Sequence, residues 1–399
     1  MPLVKNKSGD ITDKNNYRPI ALSTMSSKIF ERILLERYDE CFDTVDNQFG
    51  FKKDHATDLC VYSFKEILHI YNDYSSPLYI CFLDASKAFD KLNYWLLFDK
   101  LIQRNLPLPI VRILVMWYTC QQLNVQWGSN FSSHFTVSNG VRQGGILSPK
   151  FFNLYMDKLS HILNASRTGC NYNGAFINHL SYADDMCLIA PSARALQVLL
   201  DHCHRYAESH NIIYNGTKSV CMYVKSKKFK VSNIPKVKLG SNVLEYVPSY
   251  KYLGCMISDT LSDDTDIRKT LRGIYARSNM LIRKFYHCND LVKQTLFQTY
   301  CTNFYCTQLW WCYTEKSINK VRVAFNNSCR YFLGYTRSCS ASGMFIENGL
   351  DGFNVLRRKY IYKFICRLKS SQNQILSSLY MSYCQSHSMN EWTKCLYLF

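Results

Sequence analysis

Two apolar stretches of the chain run straight into carboxylates. Tyr79-Ile80-Cys81-Phe82-Leu83 is an unbroken apolar run that ends at Asp84. A short run of this kind predicts a buried strand that delivers Asp84 at its end. The second stretch reads His179-Leu180-Ser181-Tyr182-Ala183-Asp184-Asp185-Met186-Cys187-Leu188-Ile189-Ala190. Strand-forming residues on both sides of an acidic pair predict a β-hairpin with Asp184 and Asp185 at its turn.

Other segments repeat at about 3.6 residues and predict helices. Over residues 27–37, Ile29, Ile33 and Glu36 alternate with Phe30, Leu34 and Arg37. Over residues 91–102, Leu92, Trp95, Leu96 and Leu101 form an apolar stripe, with Asp90 placed to cap it. Ser148 and Pro149 are the expected N-cap and first residue of a helix that buries Phe152, Tyr155, Met156 and Leu159. Residues 193–207 predict another amphipathic helix. Asn124 to Gly128 and Phe135 to Val137 predict a hairpin, and residues 6–10 a polar turn. Beyond Ser258 the composition changes. Residues 261–266 are an acidic linker or a helix start, and basic, aromatic, helical sequence follows with Arg268, Lys269, Arg272, Arg277, Arg283 and Lys284.

Charge narrows the possible partners. The 399 residues carry a formal net charge of +18, and 15% are aromatic. A surface this basic points to a polyanion, nucleic acid foremost. The length allows more than one domain and a sizeable core. The 18 cysteines stand singly, with no Cys-x-x-Cys spacing, which predicts buried free thiols in a reducing compartment. The sequence has no secretory signal or membrane-length apolar run, so no membrane partner is expected. The expected location is intracellular, with nucleus and cytoplasmic ribonucleoprotein both open.

Adjacent carboxylates repel each other, and a cation relieves the repulsion. Taken alone, Asp184-Asp185 reads equally well as a solvated turn. Asp84 changes that balance. One carboxylate at a strand end and two at a hairpin turn make a minimal cage for two magnesium ions, the pair that clamps the attacking and leaving oxygens of in-line phosphoryl transfer.

Asp84 and Tyr182-Ala183-Asp184-Asp185, with the segments between them, resemble the palm of the reverse transcriptases of LINE-type, non-LTR retrotransposons. Further stretches follow in that family's order. Asn16-Tyr17-Arg18-Pro19-Ile20 is similar to its first finger motif. Gln48-Phe49-Gly50-Phe51-Lys52-Lys53-Asp54-His55-Ala56-Thr57 is similar to the second, where cations hold the incoming triphosphate, although Asp54 and Ala56 stand where the family often has Gly and Ser. Asn139-Gly140-Val141-Arg142-Gln143-Gly144-Gly145-Ile146-Leu147-Ser148-Pro149 resembles the segment beside the nascent base pair. Lys218 falls at the family's palm lysine, and Tyr250-Lys251-Tyr252-Leu253-Gly254-Cys255-Met256-Ile257 is similar to its primer-gripping hairpin. Gln308 to Tyr313 and residues 320–334 look like its thumb, whose basic stripe would follow a duplex by phosphate contact.

The resemblance implies an α+β, right-hand polymerase of fingers, palm and thumb, with an antiparallel palm sheet backed by helices. Residues 1–76 would be fingers. Residues 77–258 would be palm with an intervening connecting hairpin, and 259–345 a helical thumb. The basic segment 346–399 has no assignment. Family members usually carry more protein ahead of the first motif, so an N-terminally truncated element is expected, and no endonuclease is recognised in it.

The implied activity is that of an RNA-directed DNA polymerase, which adds a dNTP to a primer 3′-hydroxyl on an RNA template and leaves an RNA–DNA hybrid. Asp84, Asp184 and Asp185 would hold two magnesium ions, with manganese as a substitute. Asp185 is expected to point partly away and contribute less directly. Lys218 would protonate the pyrophosphate or offset its charge, or else simply face solvent. Arg18, Lys52 and Lys53 would bind substrate, although Lys52 and Lys53 also read as a solvated basic turn. Gln143 and Gly144 would lie beside the nucleotide or the template. Phe89, five positions after Asp84, would clash with a ribose 2′-hydroxyl or else fill the core. A non-catalytic RNA-binding relic is the alternative of a different class.

Overall fold

The computed structural model describes residues 2–4, 9–226, 233–381 and 387–397. Of the polar turn expected over residues 6–10, Asn6, Lys7 and Ser8 lie outside the described residues. The strand Leu78–Leu83 is buried at all six positions and is the centre of a five-stranded sheet. Across the sheet the strands run His179–Tyr182, Asp185–Ala190, Leu78–Leu83, Val220–Val224 and Glu245–Tyr246. The first three pairings are antiparallel and the last is parallel. The sheet is therefore mixed rather than purely antiparallel. A long connection after Val224 brings the chain back to the same end, so the edge strand enters in the same direction as its neighbour.

The helices, in chain order, are α1 (Met25–Arg37), α2 (Thr57–Asp73), α3 (Ala88–Lys91), α4 (Tyr94–Gln103), α5 (Leu108–Thr119), α6 (Ser148–Ala165) and α7 (Ala193–Ser209). After the sheet come α8 (Asp264–Phe285), α9 (Asp290–Cys301), α10 (Glu315–Leu333), α11 (Ala341–Glu347), α12 (Phe353–Ser370), α13 (Gln374–Met381) and α14 (His387–Tyr397).

Period-two alternation divides the sheet between two cores. Tyr79, Cys81 and Leu83 face α4 to α7, where Leu97, Phe151, Leu159 and Leu200 complete the first core. Ile80 and Phe82 face the opposite way, towards Tyr62 and Phe64 of α2, Tyr252, and the last helices through Phe364 and Trp392. Residues 346–399 are thus no loose tail where they are described. The Trp392 ring stacks on Tyr62 at 5.9 Å, and Asn373 donates to the Asp46 carbonyl at 2.8 Å. A third core joins α8, α9 and α10 through Ile274, Phe297 and Phe325.

Several local expectations change. The helix expected over 91–102 is broken at Leu92-Asn93, and Asn93, not Asp90, caps α4 by accepting from the Trp95 and Leu96 amides. Trp95 lies on the surface while Leu97 and Phe98 take the core positions. Helix α1 exposes Ile29 and Ile33 and buries Glu31. Ser148 is the first residue of α6, following the cap Leu147. The Glu31 carboxylate, reaching across from α1, accepts from the Ile146 and Leu147 amides at 2.5 and 3.3 Å. Residues 261–266 begin a helix, and two of their carboxylates are internal. Asp263 takes the Lys65 ammonium at 2.5 Å, and Asp266 takes the Trp310 indole N–H at 2.9 Å.

The hairpin of Ser249–Tyr252 and Cys255–Ser258 turns at Leu253 and Gly254, both with positive φ, as a type I′ turn requires. The cysteines among the described residues are free thiols. Among those residues no helix is long and apolar enough to cross a membrane.

Candidate active site

The strand register brings the carboxylates to one rim of the sheet. Met186 pairs with Leu83 and Cys187 with Phe82. Asp185 and Asp84 are the next residues beyond the Met186–Leu83 pair, so both stand at the same rim of the sheet. Asp185 is the first residue of the second hairpin strand, where it pairs with Tyr182. Asp184 sits with Ala183 in the two-residue turn closed by the Tyr182–Asp185 pair.

The turn is held from outside the hairpin. Ala183 adopts a φ of 57°, and its amide donates to Gln48 Oε1 at 3.0 Å. The same oxygen accepts from the Gly50 amide at 2.8 Å. Phe49 N donates to the Ser181 carbonyl and Ser181 N to the Asn47 carbonyl, so residues 47–49 extend the sheet beside the hairpin. A Cβ on Gly50 would stand 2.5 Å from the Ala183 nitrogen, so only glycine lets the two backbones approach this closely. Asp84 is fixed through its main chain. Its amide donates to Ser219 Oγ at 3.1 Å, and its carbonyl accepts from Asn215 N at 2.8 Å.

The carboxylates act on one another. Both Asp184 and Asp185 reach the surface, yet the surrounding strands and hairpin partly strip them of water. That desolvation, with the charges of Asp184 and Asp84 added, pushes the Asp185 carboxyl up to about 6. Desolvation and Asp84 also raise Asp184, while its own amide and Arg18 work the other way. Among the described residues, no three His, Cys, Asp or Glu side chains already converge on one metal-sized position. The donor chemistry still suits a hard divalent cation, because all three groups offer carboxylate oxygens and repel one another without one.

The remaining expected residues are distributed as follows. Arg18, on the short strand Tyr17–Pro19, is close enough to Asp184 to lower its affinity for a proton. Phe89 is half-buried and stacks on Phe152 at 4.6 Å. Gln143 donates its side-chain amide to Asp90 Oδ1 at 2.8 Å, and its carbonyl accepts from Ala21 N at 2.8 Å. Gly144 has a φ of 111°, and a Cβ there would meet the Ala21 carbonyl oxygen at 3.0 Å. Lys52 gives its ammonium to the Thr44 carbonyl at 2.6 Å and lies 3.5 Å from Asp43, whereas Lys53 is exposed. Lys218 is also exposed, on the turn that Asn215 caps.

Gln48, Gly50, Ser219 and Glu31 are the site-supporting residues that sequence reasoning missed. Gln48 and Gly50 lie inside the second finger motif, where the lysines offer the more obvious chemistry. The partners of Ser219 and Glu31 are remote in sequence, and no local pattern announces them.

An α+β chain whose central mixed sheet gathers three carboxylates at one rim has the make-up of a nucleic-acid polymerase. The chain belongs to the family described as reverse transcriptase (RNA-dependent DNA polymerase), whose profile matches residues 4–257. It is 27% identical over 388 residues to the probable RNA-directed DNA polymerase from transposon X-element of Drosophila melanogaster, covering 91% of this chain and 40% of that protein. It is 29% identical over 252 residues to the Pol polyprotein of the type-2 retrotransposable element R2DM of the same fly, covering 61% of this chain and 24% of that one. The polymerase of the mobile element jockey is 24% identical over 338 residues, with 81% and 36% covered. These names agree with the non-LTR resemblance of the motifs. The chain spans less than half the length of these relatives. Among solved structures, a Candida albicans telomerase aligns over 93% of this chain and 52% of its own, with a TM-score of 0.40 and 12% identity.

Proposed function

We propose that this chain extends a primer 3′-hydroxyl with deoxynucleotides on an RNA template, as the reverse transcriptase of a non-LTR retrotransposon. The observation that carries the reading is the register that brings Asp84 and Asp185 to one rim of the sheet, with Asp184 in the adjoining turn and the charges of all three acting on one another. Asp84, Asp184 and Asp185 are the ligands for two magnesium ions, for which manganese can substitute. When bound, the metal supplies a Lewis acid for the primer hydroxyl and neutralises charge on the leaving pyrophosphate.

The chain's own residues do the positioning. Arg18, exposed beside Asp184, meets the triphosphate, with Lys53 free to assist. Lys52 must first release the Thr44 carbonyl to join them. Lys218, exposed on the turn next to the Asp84 main chain, is the cation for the leaving group. Gly144 lets the backbone come close to the nucleotide or the template, and Gln143 can exchange Asp90 for a base or sugar. Phe89 bounds the sugar on its 2′ side. In this reading residues 1–76 are fingers, 77–258 palm and 259–345 thumb, and the exposed Arg268, Arg272, Arg283 and Lys284 of α8 meet duplex phosphates.

A primer-extension assay on poly(rA)/oligo(dT) with magnesium tests the proposal. The parent chain extends the primer, and Asp84→Ala does not. Wild-type turnover by Asp84→Ala would end the site assignment. Template binding without extension by the parent would favour an RNA-binding relic.

A further inference from the structure

The hairpin between α5 and α6 takes no part in the site described above. It pairs Gln122–Leu123 with Phe135–Thr136 and, further out, Gln126–Trp127 with Asn130–Phe131. Its rings stand in solvent: Trp127 is 55% exposed, Phe131 62% and Phe135 44%. Three large rings on so small an element mark a contact surface.

The polar groups between the rings narrow the partner. Residues 113–141 contain no Lys, Arg, Asp or Glu, and Gln126, Asn130 and Ser132 supply amides and hydroxyls instead. The wider segment 100–156 has no acidic residue, while Lys100, Arg104, Arg112, Arg142 and Lys150 lie within it. A polyanion can therefore approach without meeting a carboxylate from this segment, yet the hairpin itself has no Lys or Arg to grip phosphates. A lipid surface calls for Lys and Arg around the apolar side chains, and these are missing. Rings for stacking plus neutral groups for base edges match nucleobases.

Position points the same way. The Trp127 ring meets Tyr17 edge-on at 5.1 Å. Arg18, the next residue, acts on Asp184, and Ala21 N bonds the Gln143 carbonyl. The hairpin thus packs on the segment that carries Arg18, the cation whose charge reaches Asp184.

We propose that this hairpin is a stacking platform for unpaired bases of the template strand, an inference that rests on the polymerase reading above. Any base has a face to offer a ring, so the platform accepts template of any sequence. It holds the strand through its bases, while phosphates are met elsewhere.

The test is fluorescence anisotropy with an RNA template annealed to a DNA primer, leaving either one or ten template nucleotides unpaired. The parent binds the longer overhang tighter, by roughly tenfold or more. The combined variant Trp127→Ala, Phe131→Ala, Phe135→Ala loses most of that increment, with a thermal melt checking that it is folded. An equal increment in parent and variant overturns the platform, and so does a parent with no increment. A variant that keeps the increment but changes sedimentation assigns the rings to a protein contact and also overturns it. Primer extension by the parent reports separately on the polymerase reading, because the binding increment is measured without nucleotide.

Discussion

Gln48 Oε1 accepts the amide hydrogen of Ala183, the residue that precedes the adjacent aspartates, at 3.0 Å. Gln48 itself is almost fully buried, and its other acceptor contact ties Gly50 to the same point. One neutral side chain therefore sets where Asp184 and Asp185 stand relative to Asp84.

Gln48→Leu leaves two buried amides without their acceptor. Each costs about 1–3 kcal/mol, so the melting temperature falls. Because the turn itself loosens, kcat for primer extension falls further than template–primer affinity. A variant that melts earlier but turns over like the parent at a permissive temperature would reduce Gln48 to a purely structural part.

The carboxylates give the metal-free protein a pH signature. The Asp185 carboxyl is raised to about 6 in the folded chain, above its unfolded value, so folding favours its protonated form. Its contribution to stability is complete below the unfolded pKa, fades as pH rises and is gone above about 6. With EDTA present, the melting temperature of Asp185→Asn should decline less over that window than the parent's. Added magnesium should raise the parent's melting temperature above pH 6 more than the variant's. Identical pH profiles and identical responses to magnesium would contradict the coupled site.

Phe89→Val separates two roles for one ring. Loss of the stack on Phe152 opens a cavity worth about 2–4 kcal/mol of stability. If the ring also bounds the sugar, the kcat/KM preference for dNTP over rNTP falls, and a hundredfold change corresponds to about 3 kcal/mol. An unchanged ratio, with both activities lowered together, leaves Phe89 as core alone.

Lys269→Met addresses the neighbouring hairpin. The Lys269 ammonium bonds the Gly254 carbonyl at the hairpin tip and Asp266 at 2.6 Å, while Asp266 also accepts from Met256 N at 2.9 Å. Tyr250 of this hairpin feels the charges of Asp185 and Asp84. The half-exposed lysine limits the stability cost to about 1–2 kcal/mol. The expected effect is a higher KM for template–primer and a smaller change in KM for nucleotide. Equal changes in both would argue against a role for the hairpin in holding the primer.

The sequence was legible wherever a signal was local. The strand ending at Asp84, the Asp184-Asp185 hairpin and the Leu253-Gly254 turn each lie in one short window, and each forms as read. Asn93 is legible too, as a capping residue ahead of an apolar repeat, although Asp90 three positions earlier offers the same local signal. What could not be read has partners far away. Glu31 looks like a solvent-facing charge until the Ile146 amide, 115 residues on, comes to meet it. Asp263 looks like part of an acidic linker until Lys65 and the Trp311 amide surround it. The direction of the Glu245–Tyr246 edge strand depends on the route of a long connection, which no periodicity encodes.

The stack of Trp392 on Tyr62 also has a consequence for biosynthesis. When the ribosome has released the strands of the central sheet, the helices that cover one side of it are still to be made. Phe64, Leu68 and Ile80 must wait in a chain whose lid is not yet translated. Closure of that half therefore waits until Trp392 has been made, slowed by the long loop it must close. In the interval the nascent polypeptide presents an apolar surface suited to chaperones, and a ribosome stalled before Trp392 would leave that surface open.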